Sequence, residues 1–280
     1  MELKQNPFSF YDFLGYFTPG ALFLYSCLAA YQHAQSQSAS LESIANSIGL
    51  EKAEAYVPFV LLAYTFGHIL SFISSVTIER YSLWAMGYPS KYLLGVKGSG
   101  YFSFSSNKNL RLAIRLLVFV IILPVSLMDF FIGKFLGLRE LYAKPLDAML
   151  ANLIKDKIYA LMKSKGGLKA PEKHGKASDT DFFHYAYHYA VEHAPNHLPK
   201  MQNYVALYGF LRTLTLLSIL FFWAMVWHAI EQRTPPLTAS ATLLLLSMLC
   251  YLLFMAFVKF YRRFSLEALM AASVVYQEKT

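Results

Sequence analysis

Apolar positions in this chain gather into four long runs, Phe13–Tyr31, Val57–Ile78, Thr213–Ile230 and Leu237–Val258, set in more polar ground. Each continues for about 18–22 residues without Asp, Glu, Lys or Arg, and about 20 residues of helix carry a chain across ~30 Å of hydrocarbon. Four transmembrane helices are predicted. A fifth run, Leu116–Met128, is bounded by Arg115 and Asp129 and interrupted by Pro124. About 13 residues of helix reach only ~20 Å at 1.5 Å per residue, and proline removes a helical hydrogen bond. The pattern predicts a re-entrant, interfacial or protein-buried element there rather than a crossing.

Charge placement then predicts the orientation. Lys and Arg accumulate on the cytoplasmic side of membrane proteins. The loop from Gln32 to Tyr56 sets only Lys52 against Glu42, Glu51 and Glu54, and reads as external. Arg80, Lys91, Lys97, Lys108, Arg111 and Arg115 form an acid-free basic stretch, and ten further Lys/Arg lie between Arg139 and Lys200. Both basic regions are cytoplasmic only if the segment between them does not cross. The expected topology has both termini inside and the Glu231–Pro236 turn outside. Five spans with an external domain is the alternative, because snorkelling Arg115 and Lys134 would lengthen the short run.

Three regions follow. Residues 1–80 hold the first two spans and an external loop. Residues 81–200 form a basic cytoplasmic region with the partial membrane segment near 112–138. Residues 201–280 hold a stalk, the last two spans and a cytoplasmic tail. Gly87-Tyr88-Pro89-Ser90 and Gly95–Asn107 read as turn and loop. Within the middle region, Leu146, Met149, Leu150, Leu153, Ile154, Ile158, Leu161 and Met162 recur at helical spacing, predicting an amphipathic helix over Lys144–Lys163 with Pro145 in its first turn. It either lies on an anionic leaflet or packs against the cytoplasmic domain. Ser164–Lys176 reads as a linker, Ser178 or Asp179 as a helix cap, and a short helix should end near His193 before Pro195. From Pro199 one rod of about 30 residues should join a stalk to the third span. The tail from Lys259 should continue the fourth span as helix. The fold class is all-α: a polytopic membrane protein with four transmembrane helices, a re-entrant or interfacial segment and a helical cytoplasmic domain.

Composition agrees. Apolar residues make up 56% of the chain, above the ~45–50% of soluble domains, and the net charge is +8. The only cysteines, Cys27 and Cys250, sit inside apolar runs, so no disulfide framework or Cys-based zinc pattern is implied. Lys4 against Glu2, Asp12 at the mouth of the first run and Pro19-Gly20 within it fit a retained membrane helix better than a cleaved signal. No Walker loop, GxGxxG, GxSxG, HExxH or kinase signature occurs. An enzyme is therefore not the leading expectation, and no cofactor is expected.

The second run holds the clearest constellation. Gly67, Ser71, Ser75 and Glu79 fall at steps of four, with Ser74 beside them. Such a stripe lines a pore or forms a tight helix seam. His68 lies next to it at hydrocarbon depth, where a polar residue needs a partner. Gly209 and Arg212 sit where the stalk would enter the membrane, as a hinge or gate, or as an interfacial anchor with aromatic neighbours. Arg111, Arg115, Lys155 and Lys157 are candidates for an anionic ligand. His184 and His188 are one helical turn apart, a spacing that can hold a metal if further ligands come from elsewhere, such as His197.

Asn6-Pro7-Phe8-Ser9-Phe10-Tyr11-Asp12-Phe13-Leu14-Gly15 with Pro19-Gly20, Gly67-His68 through Glu79-Arg80 with Gly87-Tyr88-Pro89, and Tyr208-Gly209-Phe210-Leu211-Arg212 together resemble a family of uncharacterised bacterial inner-membrane proteins. The architecture also resembles the membrane effectors of anti-phage defence systems, in which a cytoplasmic domain senses a signal and the spans perturb the membrane. That likeness implies a homo-oligomeric channel or membrane-perturbing effector. Its partners would be the lipid bilayer, further copies of itself, and an anionic ligand or soluble partner protein on the cytoplasmic side. The alternatives are a metal-dependent membrane enzyme using His184 and His188, and a scaffold recruiting a soluble partner.

Overall fold

The computed structural model describes residues 12–34, 43, 46, 53–96, 98, 100–102, 108–166, 182–232 and 234–276. Most of the Gln32–Tyr56 loop, residues 103–107 of the Gly95–Asn107 segment, the linker beyond Gly166, the Ser178/Asp179 cap and the stretch before Asp12 lie outside those residues. Eleven α-helices carry the described chain: α1 Thr18–Ala34, α2 Ala53–Ser74, α3 Arg80–Met86, α4 Pro89–Tyr92, α5 Lys108–Ile121, α6 Leu123–Met128, α7 Arg139–Tyr142, α8 Ala148–Gly166, α9 Phe182–His193, α10 Leu198–Glu231 and α11 Pro236–Val275. Wider π-helical turns precede α1 (Phe13–Phe17), follow α2 (Ser75–Glu79) and follow α6 (Asp129–Phe135). Among the described residues there is no strand.

Four helical stretches are long and apolar enough to cross a membrane: Phe13–Gln32, Tyr56–Tyr92, Pro195–Glu231 and Pro236–Val275. They contain the four predicted runs. The last two extend well past hydrocarbon thickness, as the predicted stalk and tail require. Gly209 does not interrupt α10, and a Cβ placed there would meet nothing within 4 Å. Close packing is therefore not what glycine provides at that position.

The short fifth run is helical but broken. Asn109–Ile121 and Leu123–Phe135 meet at 91°. The break falls at Ile122, with Pro124 in the first turn of α6. Proline fits a first turn because its missing N–H is unneeded there. Backbone groups freed by such a bend must find other partners where water is scarce. The Trp223 indole N–H donates to the Ile121 carbonyl at 2.8 Å, and the Ser126 hydroxyl donates to that of Phe119 at 3.0 Å.

Two cores result. Ile78, Tyr81, Ile122, Val125, Ile219, Tyr251, Phe254 and Phe257 pack between the spans and the broken helix. A second core joins α4, α8 and α9 to the far ends of α10 and α11 through Leu93, Ile154, Ala186, Ala190, Met201, Ala268 and Leu269. This head is continuous helix with two spans. Helix α8 starts at Ala148 rather than at Lys144. Pro145 lies before it, and the Asp147 carboxylate accepts from the Leu150 N–H at 3.0 Å, the geometry of an N-cap. Its Ile154 and Ile158 enter the head core and Leu161 is buried, while Met149 and Leu153 stay exposed.

Candidate functional site

The stripe on the second run and the residue predicted to guard the stalk meet in one network. The Arg212 guanidinium pairs with the Glu79 carboxylate. Its Nε donates to Ser74 Oγ at 3.1 Å, and its Nη2 lies 3.3 Å from both the carbonyl and the hydroxyl oxygen of Ser71. The Ser74 and Thr213 hydroxyls stand 3.5 Å apart, both fully buried. Three side chains of the second span, Ser71, Ser74 and Glu79, thus close around one cation of the third, and Thr213 joins them through Ser74. Intramembrane charge is costly unless paired in this way.

The stripe does not keep its step of four. The π-helical turn Ser75–Glu79 inserts extra backbone per turn and rotates the face. Ser74 is completely buried, whereas Ser75 donates back to its own helix at Phe72 O, 2.7 Å away. Glu79 reaches Arg212 because of that rotation. Strict helical periodicity in the sequence has no means of locating it.

Beyond the ion pair the same face is a close helix seam. A Cβ on Gly67 would strike the Tyr16 carbonyl, and one on Gly20 would strike that of Ala63. His68 lies outside the seam, stacked on Tyr16 at 3.9 Å between centroids and edge-on to Tyr64 at 4.5 Å. Hydroxyls in the seam point to carbonyls, to one another or to Arg212, and among the described residues none is paired with a base that would activate it as a nucleophile.

A second charged group was missed by pattern reading. Asp129, noted in the sequence only as the end of a short apolar run, is fully buried. Tyr81 donates to its Oδ2 at 2.7 Å, Arg139 Nε donates to its Oδ1 at 2.9 Å, and Arg139 Nη2 also contacts Oδ2. Gly137, at φ +76°, provides the left-handed turn that brings α7 back. A Cβ at Gly133 would collide with Asp129 and come within 3.0 Å of the Tyr251 hydroxyl. The signal available in the sequence was an acid at the boundary of a run too short to cross.

The remaining candidates do not converge. Arg115 donates to the Tyr101 carbonyl and lies 5.2 Å from the Trp84 ring centre. Arg111 and Lys155 are exposed and Lys157 half-exposed, on separate helices. His184 and His188 are exposed on α9, while His193 stacks on Tyr189. His197 does not fold back toward them. It bonds Glu267 at 2.8 Å, next to Lys200 at 2.7 Å from the same carboxylate. Among the described residues no three His, Cys, Asp or Glu side chains come together as metal ligands. Burial pushes the Glu267 carboxyl up, but the hydrogen bonds from Lys200 and His197 outweigh it and hold the group below its ordinary range.

The chain matches no protein-family model, no curated protein and no solved structure. Its class therefore rests on architecture: an all-helical chain with four helices of membrane-spanning length and composition.

Proposed function

We propose that this protein is a multi-pass inner-membrane effector whose polar stripe is held shut by the Arg212–Glu79 pair. The head reads the signal on the cytoplasmic side, and α10 and α11 transmit it. The observation that carries this reading is the position of the latch. Arg212 lies on the helix that continues into the head, and its partners Glu79, Ser71 and Ser74 lie on or just after α2. A movement of the head along α10 would load that pair directly. Parting the seam would expose a row of hydroxyls and one charge of each sign, a surface suited to water and ions rather than lipid. Conduction would then need several copies, because one bundle buries the stripe against itself. The broken α5–α6 unit is re-entrant in this reading, which keeps both basic regions inside.

The experiment is ion flux from liposomes containing the purified protein. Glu79→Gln and Arg212→Gln should each raise flux at least about tenfold, the effect of about 1.4 kcal/mol on a closed–open equilibrium. The charge exchange Glu79→Arg/Arg212→Glu should fall back toward wild type. Flux unchanged in all three would remove the effector reading. Labelling of Lys157→Cys from the cytoplasm only, and of Thr234→Cys from outside only, tests the four-span topology.

A further inference from the structure

A cavity of about 240 Å³ opens beside the Asp129 group, between the end of α3 and the turn into α7. Met86, Gly133, Lys134, Arg139, Glu140 and Ala143 are among its lining residues. Two of these are cations and one is an acid. Arg139 gives Nε and Nη2 to Asp129, so Nη1 stands outside that carboxylate contact. The Lys134 ammonium has no carboxylate partner among the described residues and lies 6.0 Å from the Phe130 ring centre. Behind Gly133 the Tyr251 hydroxyl is buried and has no hydrogen-bond partner among the described residues. Donors outnumber acceptors here, and a guanidinium fixed by one carboxylate presents its remaining N–H in a set direction.

The surroundings are those of a membrane boundary. Phe130, Phe131, Phe135 and Leu136 are exposed on the same π-helical turn as Lys134 or immediately after it, Phe135 by 84%. They offer an apolar apron next to a polar, net-positive recess. A molecule with a phosphodiester and acyl chains satisfies both. Lys134 and Arg139 Nη1 would donate to the phosphate oxygens, in charge-assisted bonds. Glu140 would accept from a hydroxyl or ammonium on the headgroup. Acyl chains would lie over the phenyl rings.

We infer that the cavity lined by Lys134, Arg139 and Glu140 is a binding site for a phosphodiester headgroup bearing a hydrogen-bond donor, such as phosphoglycerol or phosphoethanolamine. This inference requires only that α5–α6 sit at a membrane surface, and it stands apart from the latch. Neither Lys134 nor Glu140 touches Arg212 or Glu79.

Thermal unfolding of the full chain in detergent tests it, with phosphatidylglycerol, phosphatidylethanolamine or phosphatidylcholine of matched acyl chains added, and separately with glycerol 3-phosphate. A ligand that binds only the folded state raises Tm, and raises it more the tighter it binds at a given concentration. The first two lipids should raise Tm more than phosphatidylcholine, whose headgroup has no donor for Glu140. Lys134→Gln should abolish most of the shift from either lipid while leaving the lipid-free Tm unchanged. Lys134→Arg should keep it, and so should Lys157→Gln. A glycerol 3-phosphate shift that Lys134→Gln removes would support the same chemistry with a soluble source. Equal shifts from all three lipids, or full shifts in Lys134→Gln, would overturn the assignment.

Discussion

Two Arg–carboxylate ion pairs sit at two π-helical turns, yet they are built differently. Asp129 opens its turn and is completely enclosed, while its partner Arg139 is 24% exposed. It is held by Tyr81, by two nitrogens of Arg139 and by the bare backbone of Gly133. Glu79 closes its turn and is 21% exposed, with Arg212 at 11%. Arg212 divides its donors between Glu79 and two serines that have other partners nearby. The first arrangement leaves no alternative state for the acid. The second can part and be re-solvated at modest cost. A pin and a latch are therefore distinguishable from burial and from the number of competing partners, although both are Arg–carboxylate contacts.

The sharpest way to break the comparison is to remove the pin. Arg139→Ala leaves a charge in the interior and should cost about 3–5 kcal/mol, the usual penalty for orphaning a buried ion. Thermal unfolding in detergent reads it. Pairing Asp129→Asn with Arg139→Gln should lose less than Arg139→Ala alone, because no ion is stranded. Next in size are the seam glycines. Gly67→Ala or Gly20→Ala forces the α1–α2 pair apart and should cost about 1–3 kcal/mol by overpacking. Glu79→Gln should follow at roughly 1–2 kcal/mol, since the pair is partly solvated, but with the largest change in flux. An unfolding penalty for Glu79→Gln as large as that for Arg139→Ala would erase the distinction between latch and pin.

The smallest effect lies outside the spans. Glu267 titrates lower in the folded chain than its ordinary value. Its contribution to stability is present above the ordinary carboxylate range and is lost as pH falls through the lowered folded value. Wild type should lose about 1–2 °C more of Tm than Glu267→Gln across that acid window. Equal acid sensitivity of the two proteins would show that this contact between α10 and α11 contributes nothing.

The spans were legible because about 20 uncharged residues in a row admit few other structures. Pro124, in a run of only about 13 apolar residues, marked the element that does not continue as one straight helix, and the indole of Trp223 and the hydroxyl of Ser126 are what make the bend tolerable. Periodicity put Gly67, Ser71, Ser75 and Glu79 on one face with Ser74 beside it, but at the π-helical turn it is Ser74, not Ser75, that is buried against Arg212. Only tertiary structure shows that Arg212 is the partner of Glu79. Asp129 escaped notice because its partners are Tyr81, before the broken helix, and Arg139, beyond the Gly137 turn. No local spacing rule relates those three positions.

The latch can be tested directly by tying it. Ser74 Oγ and Thr213 Oγ1 are 3.5 Å apart across the seam, so Ser74→Cys and Thr213→Cys should cross-link on mild oxidation in a Cys27→Ser/Cys250→Ser background. Adding Glu79→Gln to that pair should give liposomes that leak ions when reduced and seal when oxidised. Leak that is indifferent to the cross-link, with the disulfide shown to have formed, would contradict a gating role for the seam.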